Sequence, residues 1–157
     1  MKILQLHCNF IEYEPIAKEI PSAEEAEKKK VRVDEVVVLF TSVEKGDNEP
    51  VAKKAVDDTK SYLDQIKSNR ILLYPYAHLS KDLAPPADAL KVLLVMEIMA
   101  RELGLETMRT PFGWNKQFTI SIKGQIANHF LDLDILTIFQ RQYPRIINEH
   151  LCNKLFK

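Results

Sequence analysis

The amino-acid sequence predicts a domain of the α/β or α+β class, in which two long helices cross a mixed sheet. Short apolar runs, typical of buried strands, alternate along the chain with two longer segments of helical period. Near the end of this pattern, residues 116–123 alternate between apolar and polar side chains, as expected for a strand with one buried face. A short helical tail is predicted to follow the sheet.

Five segments are predicted to be strands. The strongest is residues 36–40, Val-Val-Val-Leu-Phe, which we expect to be buried on both faces. The others are residues 1–8, 70–74, 105–109 and 116–123. We expect the polar segment 9–15 to lie outside the first strand, because Pro15 has no N–H and ends regular structure.

Two long helices are predicted between the strands. The first covers residues 51–67, with Asn48 as its N-cap and Pro50 in its first turn. The second covers residues 87–103 and ends at Gly104, a residue type that favours helix C-termini.

Shorter helices are predicted on either side of this core. Ser22 followed by Glu25 has the spacing of a capping box, which predicts a short helix ending near residue 30. After Gly124, residues 128–142 and 145–157 show helical patterns separated by Pro144. These two segments make up the predicted tail.

Length and charge limit the possible functions. The 157 residues suit one domain with a short appendage. The 22 lysines and arginines balance 22 acidic residues, which excludes binding to nucleic acid by bulk positive charge but leaves room for a local basic patch. No run approaches the roughly 20 apolar residues of a membrane span, so we expect no membrane association and a cytoplasmic location.

Common catalytic signatures are missing from the chain. There is no GxGxxG, GxxxxGKS/T, HExxH, CxxC or GxSxG pattern, which disfavours dinucleotide binding, P-loop hydrolysis, zinc proteolysis and the α/β-hydrolase elbow. The two cysteines, Cys8 and Cys152, have no zinc-ligand spacing and are typical of a reducing compartment, and a disulfide between them stays open.

Two side chains, those of His78 and Lys116, are candidates for chemistry. His78 directly follows a predicted strand, where open sheets place ligands, although a histidine that hydrogen-bonds its own loop fits as well. Lys116 begins the alternating strand just after Pro111-Phe-Gly-Trp-Asn115. It either points to solvent or holds its charge beside an aromatic-lined pocket, ready for a carbonyl or phosphate oxygen.

Four segments together resemble the N-terminal editing domain of archaeal-type threonyl-tRNA synthetases. They are His7 with Ile11-Glu-Tyr-Glu14; Phe40-Thr-Ser-Val-Glu-Lys45; Tyr74-Pro-Tyr-Ala-His-Leu-Ser80; and Pro111-Phe-Gly113 leading to Lys116, Phe118 and Ser121 through Lys123-Gly124. The resemblance spans roughly residues 1–127, and the third and fourth segments are its most specific part.

The resemblance implies a fold similar to that of D-aminoacyl-tRNA deacylases, usually present as a homodimer. It also implies hydrolysis of serine wrongly esterified to threonine tRNA, with help from the ribose 2′-hydroxyl of the tRNA rather than from a protein base. Serine is threonine without a methyl group, and a synthetic site gains only about 1–3 kcal/mol of discrimination from one methyl group. A second, hydrolytic site can remove the smaller amino acid afterwards.

The pocket residues of the family carry over by matching motif. The resemblance implies that Lys116 and His78 act in catalysis, with Lys116 helping to place the substrate and an attacking water. It implies that backbone groups around Ala77 and Phe112 hold the seryl group and its carbonyl oxygen. The other substrate-binding residues that it implies are Val43, Pro75, Tyr76, Pro111, Gly113, Asn115 and His129.

Two of these positions depart from the family pattern. Asn115 stands where a tyrosine usually precedes the lysine, and His129 stands where a glutamate is usual on the following helix. We expect editing to be retained, because a mechanism that rests on backbone and RNA tolerates side-chain change.

The resemblance also implies a division of the chain and a set of partners. Residues 1–130 are expected to form the editing domain, and residues 131–157 a helical tail or the start of a linker to a following synthetase domain. No cofactor is expected in this domain, because ATP and zinc would belong to the catalytic part of the synthetase. The expected partners are the 3′-terminal adenosine of threonine tRNA, a second copy of the chain and the remaining synthetase domains.

Two other functions stay open at this point. One is a stand-alone deacylase of D-aminoacyl-tRNA. The other is a non-catalytic module for tRNA binding or dimerisation, which the departures at Asn115 and His129 favour. A metal enzyme is disfavoured because the sequence offers no cluster of ligands.

Overall fold

The computed structural model describes residues 1–124 of the chain. The predicted tail helices, the division at residue 130, His129 and Cys152 lie outside the described residues. In the described part, the elements follow in the order β1 Lys2–Lys18, β2 Val31–Ser42, α1 Glu49–Ile66, β3 Arg70–Pro75, a 3₁₀ turn Ala77–Leu79, α2 Pro86–Glu102, β4 Glu106–Arg109 and β5 Trp114–Ile122.

The strands form one mixed sheet in the order β4-β3-β2-β1-β5. β2, β3 and β4 are parallel neighbours, whereas β1 runs antiparallel to both β2 and β5. Each helical crossover moves the chain one strand further in the same direction, and such crossovers are right-handed, so α1 and α2 lie on one face. The predicted class, a mixed sheet with two long crossing helices, is confirmed.

The two long helices begin and end close to their predicted limits. The Asn48 side chain caps α1 by accepting a hydrogen bond from the Val51 N–H at 3.3 Å, and Pro50 stands in the first turn. Gly104, just after α2, has a φ of 77°, a backbone conformation that favours glycine. In β2, residues 36–40 are buried on both faces as predicted, each at most 3% exposed.

The first strand is longer than predicted, because it continues through Pro15 to Lys18. Beyond Tyr13, β1 pairs with β5 alone, so one of its edges is free of a neighbouring strand. Proline is tolerated at such an edge, where its missing N–H leaves no gap in the ladder. The expectation that Pro15 ends regular structure is therefore wrong.

The short helix predicted from Ser22 is not formed. Glu25 bonds Lys18 at 2.8 Å instead of closing a capping box. The backbone N–H of the neighbouring Glu24 donates to the Phe112 carbonyl at 3.2 Å. Tertiary contacts with the segment before β5 thus outweigh a local capping preference, which is worth only about 1 kcal/mol.

The sheet curls strongly between β3 and β5. Three strand spacings separate these strands, which amounts to about 14 Å in a flat sheet. The centre of the Phe118 ring on β5 nevertheless lies 5.7 Å from the Tyr74 ring of β3 and 5.5 Å from the Phe40 ring of β2. Shifts of register in the β1–β5 ladder mark the bulges that permit this bend.

The curl closes over the face of the sheet opposite the helices. Gln5 of β1 contacts Thr59 of α1 at 3.4 Å and is paired with Leu39 of β2, so this side of the sheet faces the helices. Phe40 is the next residue along β2 and points the other way, because side chains alternate along a strand. The helix-free face is where the predicted site residues collect.

Candidate active site

Aromatic rings cover the face of the sheet that the helices leave open. Tyr74 of β3, only 2% exposed, lies at their centre. Its ring centre is 4.8–6.4 Å from four others, those of Phe40, Phe118, Tyr13 and Tyr76. We call these five rings the aromatic floor. Such a surface excludes water and strengthens electrostatic interactions above it.

Lys116 lies over the aromatic floor. Its Nζ is 5.0 Å from the centre of the Tyr74 ring, and it donates hydrogen bonds to the carbonyls of Pro111 and Trp114, each at 3.0 Å. Lys116 and Phe118 are two residues apart on β5 and therefore share a face. The alternative in which Lys116 points to solvent is excluded by these contacts.

This environment changes the acidity of the lysine. Burial lowers the pKa of the Lys116 ammonium from 10.5 to about 8, because the charged form loses hydration. The Glu24 carboxylate opposes this shift by attraction, and the Arg109 guanidinium adds to it by repulsion. At neutral pH the side chain is mostly an ammonium, able to stabilise negative charge that develops on a nearby carbonyl oxygen.

The turn before Lys116, residues 110–113, is held from behind by Glu24. The Glu24 carboxylate accepts hydrogen bonds from the Phe112 N–H at 2.7 Å and from the Arg109 guanidinium at 2.5 and 2.9 Å. Arg109 also bonds Glu97 of α2 at 2.8 Å. The hydrogen bonds from Arg109 lower the pKa of the Glu24 carboxyl group, which stays ionised.

No sequence feature pointed to Glu24 or Arg109 as part of the site. They stand 85 residues apart, and no motif or spacing joins an acidic residue in one predicted helix to an arginine at the end of a strand. Predicting this ion pair would have required knowing which segments of the chain pack together. The residues on either side of Glu24 instead predicted a capped helix at this position, and that helix does not form.

Both backbone groups of Phe112 are engaged within the fold. Its N–H donates to the Glu24 carboxylate at 2.7 Å, and its carbonyl accepts from the Glu24 N–H at 3.2 Å. The resemblance implied that backbone around Phe112 holds the substrate. In this structure the Phe112 N–H already has a charged acceptor, so it is not available to a second one.

Gly113 closes the same turn where no other residue fits. Its φ is 78°, and a Cβ added there would lie 2.8 Å from the Ile20 side chain and 2.9 Å from the Ala23 backbone. The Gly113 carbonyl also accepts a hydrogen bond from the Glu19 N–H at 2.8 Å. The turn is thereby pressed against the segment that carries Glu24.

The segment that follows β3 is tied to the end of β2. The Tyr76 N–H donates to the Thr41 carbonyl at 2.9 Å, and the Ser42 hydroxyl donates to the Tyr76 carbonyl. Pro75 is half-buried at the end of β3, and Val43, 4% exposed, packs directly after β2. Parallel strands β2 and β3 therefore place these predicted residues at one end of the sheet.

Ala77 and His78 lie on the exposed 3₁₀ turn that comes next. The His78 ring packs edge-on against Tyr76, with ring centres 5.1 Å apart. Ring contacts thus run from His78 through Tyr76 and Tyr74 to the Lys116 ammonium. The structure brings the two predicted catalytic side chains to the same face of the sheet.

Asn115 and His7 are not brought together with Lys116. Asn115 is exposed and donates to the Glu19 carboxylate, because neighbours on a strand face opposite sides. His7 lines a cleft of about 310 Å³ beside Arg70, at the end of β3 opposite to Pro75. His129 lies outside the described residues.

Within residues 1–124, no group of three or more His, Cys, Asp and Glu side chains is arranged to hold a metal ion. No helix of the same range is long and apolar enough to cross a membrane.

Comparison with known proteins gives the family. Residues 1–131 match the family described as the archaea-specific editing domain of threonyl-tRNA synthetase. The chain belongs to this family.

Several relatives of this editing domain are threonine–tRNA ligases. It is 47% identical over 125 residues to the threonine–tRNA ligase of Nitrosopumilus maritimus, and these residues are 79% of this chain and 20% of that protein. It is 46% identical over 129 residues to the enzyme of Methanosarcina mazei, and 44% over 128 residues to that of Methanocaldococcus jannaschii, with the same two shares. The matched region spans about a fifth of the length of these relatives.

A solved structure supports the fold of the editing domain. The protein named c-Myc DNA unwinding element binding protein superposes with a TM-score of 0.63, covering 80% of this chain and 95% of its own, at 12% sequence identity. At this level of identity the likeness concerns the fold alone. It supports the fold class predicted from the sequence, a mixed sheet with two long crossing helices.

Proposed function

We propose that the editing domain hydrolyses serine wrongly esterified to threonine tRNA, at the face that carries Lys116 and residues 74–80. The observation that carries this proposal is the Lys116 ammonium above the aromatic floor. An ammonium has three N–H donors, and the Pro111 and Trp114 carbonyls use two of them. The third donor can hold the ester carbonyl oxygen of the substrate or the attacking water.

The exposed turn after β3 supplies the other half of the proposed site. Ala77 and His78 are accessible there, next to Tyr76, so they can meet the seryl group and the 3′-terminal adenosine. Because the Phe112 N–H is engaged by Glu24, we assign the backbone contacts with the substrate to the Ala77 turn. His78 acts at the rim of the site, and Val43 and Pro75 form its base.

The tRNA supplies the proton acceptor in this proposal. The ribose 2′-hydroxyl next to the ester orients the attacking water and relays its proton to the leaving 3′-oxygen as the ester bond breaks. Lys116 stabilises the negative charge that develops on the carbonyl oxygen. A threonine tRNA that ends in 2′-deoxyadenosine and carries serine on its 3′-hydroxyl tests this role. Its serine should be released at least roughly 10-fold more slowly than from the normal tRNA.

Selection of serine over threonine rests on size. A site that just holds serine can exclude the extra methyl group of threonine sterically, which complements the weak discrimination of about 1–3 kcal/mol in a synthetic pocket. The test compares release of serine and threonine from threonine tRNA by the full chain. A D-aminoacyl-tRNA serves as a third substrate, and its cleavage with seryl-tRNA left intact would replace the proposal by a D-aminoacyl-tRNA deacylase.

The partners follow from the same proposal. The domain binds the acceptor end of threonine tRNA, pairs with a second copy of itself and works beside the remaining synthetase domains in the cytoplasm. We also propose that the editing domain ends near residue 130 and that residues 131–157 lead towards the next domain. Family membership and the small share of the relatives that the match covers support this arrangement.

A further inference from the structure

A shielded cluster of charged side chains stands behind the turn that contacts Lys116. The Arg109 side chain is 12% exposed, and its partners Glu24 and Glu97 are 27% and 13% exposed. Ion pairs removed from water contribute little net stability, because desolvation offsets their attraction. The cluster is therefore poorly explained as a device for stability alone.

We propose that Glu24, held in place by Arg109, is a positioning residue that fixes the turn 111–113 and, through it, the ammonium of Lys116. This inference rests on the proposed function of Lys116.

The first link is a single peptide group. The Pro111 carbonyl and the Phe112 N–H belong to the same planar unit, and in a trans peptide they point in opposite directions. Glu24 binds the N–H end at 2.7 Å, and Lys116 binds the carbonyl end at 3.0 Å. A movement of the carboxylate would therefore be passed to the ammonium through one rigid plane.

The second link is Trp114. Its indole N–H donates to the Glu24 carbonyl at 2.7 Å, while its own carbonyl accepts from Lys116 at 3.0 Å. One acceptor of Lys116, the Pro111 carbonyl, thus belongs to the peptide group that the Glu24 side chain binds. The other belongs to Trp114, whose indole is bound by the Glu24 backbone. Arg109 fixes Glu24 in turn, through two hydrogen bonds to the two carboxylate oxygens.

Glu97 provides a matched control. It pairs with the same Arg109 at 2.8 Å but lies on α2, away from the turn. Removing either carboxylate takes one partner from Arg109. Only the loss of Glu24 also takes away the acceptor of the Phe112 N–H.

The test compares Glu24→Ala with Glu97→Ala in the full chain by three measurements. Hydrogen exchange of the Phe112 amide reports on the turn, NMR titration gives the pKa of the Lys116 ammonium, and steady-state release of serine from seryl-tRNA gives kcat and KM. In Glu24→Ala we expect faster Phe112 exchange, a higher Lys116 pKa as water enters, and a kcat lowered roughly 10- to 100-fold with KM changed less. In Glu97→Ala we expect all three close to the wild-type values.

Several outcomes would overturn the proposal. A Lys116 pKa that falls or stays the same in Glu24→Ala would mean that the carboxylate acts only as a distant charge and leaves the turn in place. Equal effects of the Glu24 and Glu97 variants would reduce the cluster to a structural role. If Glu24→Ala does not fold, Glu24→Asp keeps the charge but withdraws it by one methylene, and an unchanged Phe112 exchange rate there would contradict the proposal.

Failure of the inference and failure of the proposed function are distinguishable. The exchange of the Phe112 amide and the pKa of Lys116 are measured on the free protein, without any tRNA. If wild-type protein releases no amino acid, the proposed function fails while these two measurements still decide whether Glu24 positions the turn and Lys116.

Discussion

The Lys116 ammonium lies 5.0 Å from the centre of the Tyr74 ring, although the strands that carry the two residues are three places apart in the sheet. The curl of the sheet over its helix-free face produces this contact. A cation over an aromatic ring is stabilised by the ring quadrupole, which offsets part of the cost of removing it from water. The same burial brings the pKa of the lysine down to about 8.

Replacing either predicted catalytic side chain should slow deacylation without unfolding the domain. Lys116→Ala removes the donor for the carbonyl oxygen, and we expect a loss of roughly 10²-fold in kcat. His78→Ala, at an exposed position, should lower the rate by a smaller factor and leave the thermal midpoint unchanged. Lys91→Ala, on the exposed face of α2, is the matched control and should keep the wild-type rate. Normal rates in both site variants would remove these residues from the site.

Stability should depend on pH in a way that Lys116 controls. The folded pKa of about 8 lies below the ordinary value of 10.5, so the unfolded chain binds more protons between these two pH values. The contribution of Lys116 is therefore unfavourable below pH 8 and is relieved as the pH rises towards 10.5. Relative to Lys116→Met, wild-type protein should gain on the order of 2 kcal/mol in unfolding free energy between pH 7 and pH 10.

Denaturant titrations of both proteins across that range supply the measurement. Buried tyrosines such as Tyr13 have a raised pKa and also respond to alkaline pH, but they are present in both proteins and cancel in the difference. If the difference in unfolding free energy between wild type and Lys116→Met does not vary with pH, the Lys116 ammonium is not buried in solution.

The turn at Gly113 should not accept a side chain. Gly113→Ala introduces a Cβ within 3.0 Å of Ile20 and Ala23 at a φ of 78°, and we expect it to lower the unfolding free energy by about 2 kcal/mol or more. Gly46→Ala is the control, because Gly46 has a φ of 86° with nothing within 4 Å of the added Cβ. Gly46→Ala should lower the unfolding free energy by about 1 kcal/mol, from backbone strain alone. Equal losses in the two variants would contradict the crowding at Gly113.

A larger side chain at Ala77 should block the site. Ala77 is exposed on the 3₁₀ turn, so Ala77→Leu is expected to leave the thermal midpoint within about 2 °C of wild type, since exposed substitutions change stability little. Release of serine from threonine tRNA should fall at least roughly 10-fold, because the branched chain occupies the space proposed for the seryl group. Unchanged turnover of the seryl ester would place the substrate elsewhere.

Regular structure was predictable wherever it rests on local pattern. The apolar run at residues 36–40 was sufficient to predict β2, and Asn48 was sufficient to predict the start of α1. Burial and capping at these positions follow from neighbouring residues. The helix predicted from Ser22 failed for the opposite reason. Glu24 finds its partners, Arg109 and Phe112, more than 80 residues away, and no local preference reports such contacts.

The resemblance named candidate residues for the site, but it did not predict their geometry. Motif resemblance pointed to Lys116 and His78, and both lie on the helix-free face. The burial of Lys116 depends on the curl of the sheet, and the curl depends on bulges in β1 beside a proline that was expected to end it. Because bulges arise from pairing between distant strands, the sequence offered an aromatic-lined pocket only as one of two alternatives for Lys116, and it did not predict the lowered pKa.

The most direct test is single-turnover hydrolysis of seryl- and threonyl-esters of threonine tRNA by the full chain, measured side by side. We expect release of serine at least roughly 10-fold faster than release of threonine, and loss of that release in Lys116→Ala. Equal rates for the two esters, or a rate for seryl-tRNA no higher than in buffer, would contradict the claim that this domain is a serine-selective editing site.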